Sequence, residues 1–341
     1  MKRIALSAVL ILLFACSGNP TGPGYSEYGR LAFSGGEGKD YEIFVINADG
    51  TGLTRLTDNE IYDGQPTWSP DGSRIAYTYG IHLSIRNIAI TNVDGSDVEL
   101  LSSDNLNYLY MPQWSPDGSR ILCSYPDFTG SGFFDIYCVD ITTDRNPRFI
   151  DTYDVFNSRP QWSPYGQRIL YTDWRDIYTI KYDGTGRLQL TEAVGYQYYS
   201  YPSWSPDGKQ ITFIRSRFGT NPPQVCIMNS DGSDVEPLTM GETISPSLPQ
   251  WSPDGSRIAY FDWYEDRFFV VNADGTGFKQ LTFSEIPDDH IDWSPDGMTI
   301  AFIKENGILC LIDRNGNNLR EIHTGLEKIT DVVWSPRMYR E

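Results

Sequence analysis

The chain has 341 residues with a formal net charge of −18 at pH 7, and 14% of its residues are aromatic. Nucleic acids and anionic lipid headgroups bind basic protein surfaces, so this charge argues against both as the main partner. The 31 glycines and the many aromatic residues favour an all-β, turn-rich fold.

The first 15 residues predict a secretory signal peptide. A basic pair, Lys2 and Arg3, precedes an apolar run over residues 4–14 that is too short to span a bilayer. The run ends in the letters LFAC at 13–16, which resemble the bacterial lipobox. The resemblance implies cleavage before Cys16 and lipidation of that cysteine. The alternative is an ordinary secretory signal followed by a chance cysteine.

Residues 16–27 predict a flexible tether between this anchor and a folded domain. They are rich in Gly, Pro and Ser and show no hydrophobic periodicity. Several acyl chains on Cys16 would hold the protein stably, because a single chain binds a membrane only marginally. We therefore expect an exported bacterial lipoprotein at the outer membrane, facing the periplasm or the cell surface, that meets the membrane through its lipid anchor only.

The motif Trp-Ser-Pro occurs seven times, and Asp-Gly follows it in five of the seven copies. Successive copies are 41 to 48 residues apart. This period is typical of a β-propeller with one four-stranded blade per repeat. The tryptophans of the seven copies are Trp68, Trp114, Trp162, Trp204, Trp251, Trp293 and Trp334.

Each copy predicts a hairpin turn between the first and second strands of a blade. In the first copy Pro70 sets φ, Asp71 can accept hydrogen bonds from backbone amides, and Gly72 can adopt positive φ. Alternating apolar residues on both sides of the turn predict the two strands. We expect the tryptophan to pack in the seam between neighbouring blades, and the alternative is a row of aromatic platforms for sugars.

The two ends of the repeat region predict how the ring closes. Residues 28–33 have the pattern of a second strand without a first strand before them. Residues 331–336 have the pattern of a first strand without a second strand after them. Joined, they complete a composite blade and remove exposed sheet edges. We therefore predict an all-β, seven-bladed β-propeller over residues 28–337, with four antiparallel strands per blade.

The repeat units resemble the WSPDG-type repeats of the TolB β-propeller family over about residues 28–336. The motif is specific for the fold and weak for function, since many secreted and enzyme-associated propellers share it. The resemblance implies a six-bladed propeller behind an N-terminal α/β domain, without lipidation. This chain has seven predicted blades, a tether in place of that domain and a lipobox-like segment. We therefore expect a lipoprotein variant of the family rather than a plain orthologue.

The connections between strands divide the predicted propeller into two faces. The turn face carries the short SPDG and DG turns, whereas the loops of the opposite face, the variable-loop face, differ between blades and are rich in aromatic residues. Variable loops of this kind on a rigid scaffold favour a binding surface. We place a central site at the channel mouth, three residues before each tryptophan. The candidate ligand-binding residues are Gln65, Tyr110, Arg159, Trp174, Arg175, Tyr201, Arg215, Trp263, His290 and Asp331.

Catalysis finds little support in the sequence. The chain has three histidines, His82, His290 and His323, and it lacks a GxSxG elbow, an HExxH motif and a phosphate-binding loop. Similar seven-bladed propellers include pectin-fragment lyases, which hold a metal through several channel histidines. His290 has a suitable position, but one histidine cannot form such a site. We therefore expect no catalytic residue, no cofactor and no metal.

Four cysteines follow Cys16. Cys123 and Cys138 fall nearly opposite each other on adjacent strands of one blade, which leaves a cross-strand disulfide and two buried thiols both open. The two thiols are the favoured interpretation. Cys226 and Cys310 take equivalent positions in different blades and are expected to be free.

These features predict an envelope-anchored, non-enzymatic, monomeric propeller that binds a protein, peptide or glycan on its variable-loop face. The rival prediction is a polysaccharide lyase or hydrolase with a channel site around His290. A structural role without a discrete ligand is a third interpretation.

Overall fold

The computed structural model describes residues 29–37, 40–82, 85–101, 108–126, 133–143, 147–156, 159–173, 175–218, 221–239, 245–282, 291–304 and 307–336. Within these ranges the regular structure consists of strands in seven antiparallel sheets of four strands each. The sheets are the blades of a seven-bladed β-propeller, which confirms the predicted fold. The described residues contain no helix that is long and apolar enough to cross a membrane.

The strands follow one another blade by blade. The chain enters with β1 (Arg30–Glu37), β2 (Asp40–Asn47) and β3 (Thr54–Arg55). Blade 1 contains β4 (Tyr62–Trp68), β5 (Arg74–His82), β6 (Ile85–Asn92) and β7 (Glu99–Leu100). Blade 2 contains β8 (Tyr110–Trp114), β9 (Arg120–Pro126), β10 (Phe133–Asp140) and β11 (Pro147–Phe156). Blade 3 contains β12 (Gln161–Trp162), β13 (Arg168–Thr172), β14 (Ile177–Lys181) and β15 (Leu188–Gln189).

The remaining strands complete the ring. Blade 4 contains β16 (Gln197–Trp204), β17 (Gln210–Arg217), β18 (Asn221–Asn229) and β19 (Glu236–Pro237). Blade 5 contains β20 (Pro246–Trp251), β21 (Arg257–Asp262), β22 (Arg267–Asn272) and β23 (Lys279–Gln280). Blade 6 contains β24 (Ile291–Trp293), β25 (Thr299–Lys304), β26 (Ile308–Asp313) and β27 (Arg320–Ile322), and the last strand is β28 (Lys328–Trp334).

The last strand closes the ring by pairing with the first. β28 runs antiparallel to β1, with Trp334 opposite Leu31 and Lys328 opposite Gly36. The closing blade therefore has the order β28-β1-β2-β3. Three strands from the N-terminal side and one from the C-terminal side form it, as the sequence predicted.

Strands in the middle of each blade are buried on both faces, because every blade packs between two neighbours. Leu31 and Phe33 of β1 contact residues of blade 6 such as Leu309, whereas Ala32 between them lies in the cluster with Ile75 of blade 1. Alternate residues of one strand thus enter two different seams, since side chains point to opposite faces with a period of two. This explains the nearly continuous apolar runs of the second and third strands.

The repeated tryptophans fill these seams, as predicted. Trp68 packs with Ile43 and Val45 of the closing blade and with Ile75 and Tyr77 of its own blade. Trp114, Trp162, Trp251, Trp293 and Trp334 are likewise buried in their clusters. Trp204 departs from the set because it is only partly buried against its cluster.

The SPDG turns form through the side chains that the sequence singled out. In the first copy one oxygen of Asp71, Oδ1, accepts hydrogen bonds from the Ser69 hydroxyl at 2.6 Å and from the Ser73 amide at 3.0 Å. Gly72 adopts φ 69° and its amide donates to the Ser69 carbonyl at 2.8 Å. The aspartate therefore holds the turn together through its carboxylate.

The four cysteines of the described chain are buried free thiols. Cys123 lies opposite Tyr137, and Cys138 lies opposite Leu122. The two cysteines are thus one register step apart, so their side chains point to opposite faces of the blade and into different clusters. The thiol interpretation is confirmed for Cys123 and Cys138, and Cys226 and Cys310 are free as predicted.

Candidate functional site

A β-bulge interrupts the innermost strand of five blades at the predicted channel position. In β16, Tyr201 and Pro202 together face the single residue Phe213 of β17, because the pairing shifts between Ser200 and Ser203. Corresponding register shifts occur in β4, β8, β20 and β28. The residue three before the tryptophan is left-handed in each, with φ between 49° and 58°: Gln65, Met111, Tyr201, Leu248 and Asp331.

The left-handed backbone conformation is uncommon for residues other than glycine, because it costs about 1–2 kcal/mol of strain per residue. In four of the five bulges a proline follows the left-handed residue, and these prolines are Pro66, Pro112, Pro202 and Pro249. A proline lacks the amide hydrogen that a regular ladder would need, so the bulge is the natural place for it. The bulge turns the side chain of the left-handed residue away from the regular strand direction.

A cavity of about 210 Å³ lies in the channel, lined by the innermost strands of blades 3 to 6 and the closing blade. Thr172, where β13 ends and the loop to β14 begins, also lines it, which places the cavity towards the variable-loop face. Apolar walls are provided by Leu248, Ile291 and Val332, among others. Polar groups enter it from Arg159, Gln161, Tyr201, Gln250 and Asp292.

Asp292 is the acidic group of this cavity, and it also links blade 6 to both of its neighbours, blade 5 and the closing blade. Its Oδ2 accepts a hydrogen bond from the Trp334 amide at 2.6 Å, and its Oδ1 accepts one from Gln250 Nε2 at 3.3 Å. Burial raises the pKa of Asp292 to about 6, although these two hydrogen bonds act in the opposite direction. The carboxyl is therefore mainly ionised at neutral pH but within reach of protonation in mild acid.

Two of the predicted site residues, Arg159 and Tyr201, meet in this cavity. Two others have internal partners. The Oε1 of Gln65 accepts hydrogen bonds from the Thr78 hydroxyl at 2.9 Å and from the Met111 amide at 3.2 Å. Asp331 accepts one from the Thr330 hydroxyl at 2.8 Å. Neither Gln65 nor Asp331 lines the cavity, so the predicted ring of channel residues is brought together only in part.

Three further candidates contribute to packing or hold loops. Nη2 of Arg175 donates to the carbonyls of Ala193 and Gly195, both at 2.9 Å. Arg215 donates to Gln224 Oε1 at 2.7 Å. Tyr110 packs edge-on against Phe134 with 5.9 Å between ring centroids.

Trp263 is the predicted aromatic residue that the structure leaves most accessible, with 53% of its surface exposed. It sits in the loop between β21 and β22, which Asp262 shapes by accepting hydrogen bonds from the amides of Tyr264 and Glu265. Asp173 accepts from the amides of Arg175 and Asp176 in the same way in blade 3. Trp174 follows Asp173 at the position equivalent to Trp263, but Trp174 lies outside the described residues, as do His290 and Cys16.

A family model described as the TolB beta propeller domain matches residues 79–338 of this chain. The chain belongs to this family. The match covers most of the seven-bladed ring, and it agrees with the resemblance of the repeat motif to the family.

Solved structures similar to this TolB-family propeller have diverse functions. TolB from Acinetobacter baumannii is 18% identical over 91% of this chain and 67% of its own, with a TM-score of 0.58. An oligogalacturonate lyase in complex with manganese is 14% identical over 87% of each chain, with a TM-score of 0.68. A prolyl endopeptidase is 11% identical over 87% of this chain and 48% of its own, with a TM-score of 0.64. At these identities the likeness shows the fold alone.

The outer part of the variable-loop face of this TolB-family propeller exposes large aromatic side chains on blades 4 and 5. Tyr196 lies in the loop that enters β16, and Phe218 follows β17, packed at a tilt of 33° against Tyr198 with 4.8 Å between ring centroids. Trp263 and Tyr264 lie in the loop after β21. Sequence reasoning predicted the aromatic character of this face.

The turn face also carries exposed apolar residues, which the sequence reasoning missed. One occurs just before or at the start of the short fourth strand in six blades: Leu53, Val98, Leu188, Val235, Phe278 and Leu319. Tyr165, in the SPYG turn of blade 3, is 71% exposed. The signal for this pattern was an apolar residue three positions after the Gly of an Asp-Gly or Asn-Gly turn, with Leu188 one position later in blade 3. Because nearly the same position recurs in six blades, this pattern offers a partner less distinctive shape than the variable loops do.

The described residues contain no cluster of three or more His, Cys, Asp or Glu side chains arranged to hold a metal ion. The channel residues that sequence reasoning missed are Gln161, Gln250 and Asp292. Gln161 and Asp292 stand immediately before their tryptophans, as do Gln113 and Gln250. Gln113 and Asp292 each accept a hydrogen bond from the tryptophan amide of the next blade, at 2.9 and 2.6 Å. A polar residue repeated before the tryptophan was the available signal.

Proposed function

We propose that this chain is a non-enzymatic binding propeller of the cell envelope, which recognises a protein, peptide or glycan through its variable-loop face. One observation carries the proposal. Large aromatic side chains that differ from blade to blade, Tyr196, Phe218, Trp263 and Tyr264, are exposed on the face towards which the central cavity lies. Exposed aromatic residues beside a concave site favour binding, because Tyr and Trp dominate interface energy when a partner covers them.

The experiment is a pull-down of envelope proteins and glycans on the purified propeller, followed by affinity measurements on matched variants. Tyr264→Ala on the variable-loop face is paired with Tyr165→Ala on the turn face, since the two tyrosines are 76% and 71% exposed. Phe218→Ala is paired in the same way with Phe278→Ala. We expect each variable-loop substitution to weaken binding about tenfold or more and each turn-face partner to leave it within about twofold. Weakening by the turn-face variants alone would show that the partner binds the other face.

The predicted anchor completes this proposal. The lipobox-like segment ending in Cys16 supports tethering of a monomeric propeller to a membrane through lipid. Cys16→Ser should move the chain from the membrane fraction to the soluble fraction of the envelope. A chain that stays membrane-bound after this change would exclude the lipid anchor.

The rival enzymatic reading has a direct test. The purified chain is incubated with acidic polysaccharides, with and without added divalent metal, and the release of unsaturated products is measured. Turnover that the chain shows and the His290→Ala variant lacks would show that the chain is a lyase and would overturn the proposed binding function. We expect no turnover under either condition.

A further inference from the structure

The central cavity carries opposite charges on two sides of the channel. Arg159 stands two residues before the inner strand of blade 3, and Asp292 lies in the inner strand of blade 6. Two blades separate them in one direction around the ring of seven and three in the other, so they lie across the channel from each other. No ion pair joins them.

Arg159 makes no hydrogen bond or ion pair with the described part of the chain. The protein is strongly acidic, and arginines elsewhere on the same face, Arg175 and Arg215, are bound to loop carbonyls or a glutamine. A guanidinium presents five donors in a planar fork that matches a carboxylate. Its position on the cavity wall therefore suits an anionic group of a ligand.

The opposite wall offers acceptors. Gln250 Nε2 donates to Asp292, which leaves Gln250 Oε1 buried with no hydrogen-bond partner among the described residues. Rotating the amide would turn its oxygen towards the ionised carboxylate and is disfavoured at neutral pH. A buried acceptor without a hydrogen-bond donor destabilises a protein by about 1–3 kcal/mol. The Gln250 oxygen is buried behind the wall, so the Asp292 carboxylate is the group that suits a positively charged donor such as an ammonium group.

The size and the remaining lining limit what can enter. A cavity of about 210 Å³ is somewhat larger than a cavity of about 150 Å³ that holds benzene. A molecule of roughly ten non-hydrogen atoms fits, whereas a polymer segment does not. Leu248, Ile291 and Val332 provide apolar contact between the two charged walls.

We propose that the channel cavity binds a small zwitterion, with its carboxylate on Arg159, its ammonium group on Asp292, and its hydrocarbon part against the apolar wall. This inference goes beyond the proposed function, because it gives the cavity a small ligand that is separate from the macromolecule expected on the variable-loop face. Its test needs no macromolecular partner, so the two can fail separately.

The test uses four small probes and the purified full-length chain, with affinities measured by calorimetry at neutral pH. L-leucine and 6-aminohexanoate are isomeric zwitterions that differ in the separation of their charges. Hexanoate lacks the ammonium group, and hexylamine lacks the carboxylate. We expect at least one zwitterion to bind tenfold or more tighter than both singly charged probes, because each charged end adds a hydrogen-bonded partner.

Two variants test which cavity residue binds which charged group of the zwitterion. In Arg159→Gln the affinity for the zwitterion should fall to that of hexylamine, and in Asp292→Asn it should fall to that of hexanoate. Arg215→Gln, which removes an arginine outside the cavity lining, is the matched control and should leave the affinity unchanged. Circular dichroism checks that each variant is folded. Zwitterions that bind no better than the singly charged probes, or an affinity that survives both cavity substitutions, would overturn the proposal.

Discussion

At the scale of single residues, Asp292 connects the central cavity to the closure of the ring. Its carboxylate accepts the amide hydrogen of Trp334 in the last strand, and burial raises its pKa to about 6. An aspartate whose pKa is higher in the folded than in the unfolded protein stabilises the fold when it is protonated. This contribution is complete below the unfolded pKa of about 3.8 and is lost as the pH rises through about 6.

Asp292→Asn should therefore make the protein less sensitive to this pH change. Relative to the native chain, the free energy of unfolding of the variant should increase between pH 4 and pH 8, by up to about 3 kcal/mol. The side-chain oxygen of the asparagine can still accept a hydrogen bond from the Trp334 amide, and the asparagine NH₂ group can donate one to the unpartnered Gln250 oxygen. Urea denaturation at several pH values measures the difference.

The control for this prediction is Asp266→Asn, at an exposed loop position with φ 50° that asparagine tolerates. It should leave the difference between the two pH values unchanged. An Asp292→Asn difference that is flat from pH 4 to pH 8 would show that the carboxyl titrates normally in the fold.

The backbone at the channel positions marks a limit of sequence reasoning at this scale. Asp71 and Gly72 were predictable as turn residues because their chemistry is local. The left-handed conformation of Met111 and Leu248 was not, since neither residue type favours it and the bulge is imposed by pairing with the next strand. The proline that follows each of them was the one local sign of an interrupted ladder.

At the scale of elements, the seam tryptophans differ in burial and should differ in energy. Trp251 is 6% exposed and packs against Ile214 and Val225 of blade 4 as well as Ile258 of its own blade. Trp251→Ala should lower the free energy of unfolding by about 3–5 kcal/mol, because a cavity remains in the seam. Trp204→Ala should cost clearly less, since Trp204 is only partly buried. Urea denaturation of both variants provides the comparison.

The indole nitrogen of Trp251 has no hydrogen-bond partner among the described residues, which supplies a control. Trp251→Phe keeps most of the apolar ring and loses no hydrogen bond, so its effect should be well below that of Trp251→Ala. Equal losses for the two tryptophan-to-alanine variants, or a loss below about 1 kcal/mol for Trp251→Ala, would contradict the seam assignment.

A second repeated element escaped the sequence reasoning. The dipeptide Leu-Thr ends the outer strand region of four blades, and its threonine hydroxyl accepts an amide hydrogen from the beginning of the third strand. Thr57 accepts from Ile43, Thr191 from Ile177, Thr239 from Val225 and Thr282 from Phe268, at 2.9 to 3.1 Å. The dipeptide is visible in the sequence, but its role depends on which strands lie side by side.

At the scale of the whole molecule, the repeat period fixes the topology because each blade cannot bury its apolar faces without its neighbours. Seven tryptophans and two incomplete ends were enough to predict seven blades and a composite closure. The site was predictable only in part. Arg159 and Tyr201 were found because the position three residues before each tryptophan marks the channel, whereas the roles of Asp292 and Gln250 depend on hydrogen bonds between neighbouring blades. Such contacts have no signature in a local pattern.

Closure by β28 should be essential to the stability of the entire ring. A chain that ends at Glu327 lacks the strand that pairs with β1 and lacks Trp334, which is buried in the seam of blade 6 and the closing blade. It would expose the edge of β1 and the apolar face of Leu31 and Phe33, and exposed edges favour association with other chains. We expect this chain to lose its single cooperative unfolding transition in calorimetry and to form oligomers in light scattering.

A chain that ends at Pro336 keeps β28 and serves as the control, because it should unfold and sediment like the full chain. A peptide of residues 328–336, added to the chain that ends at Glu327, should restore a monomeric, cooperatively unfolding particle by supplying the missing strand. The pairing of β28 with β1 joins the two ends of the ring, so we expect the loss of this one strand to affect every blade. A shortened chain that remains monomeric with an unchanged melting temperature would mean that six blades and an open sheet already form a stable ring.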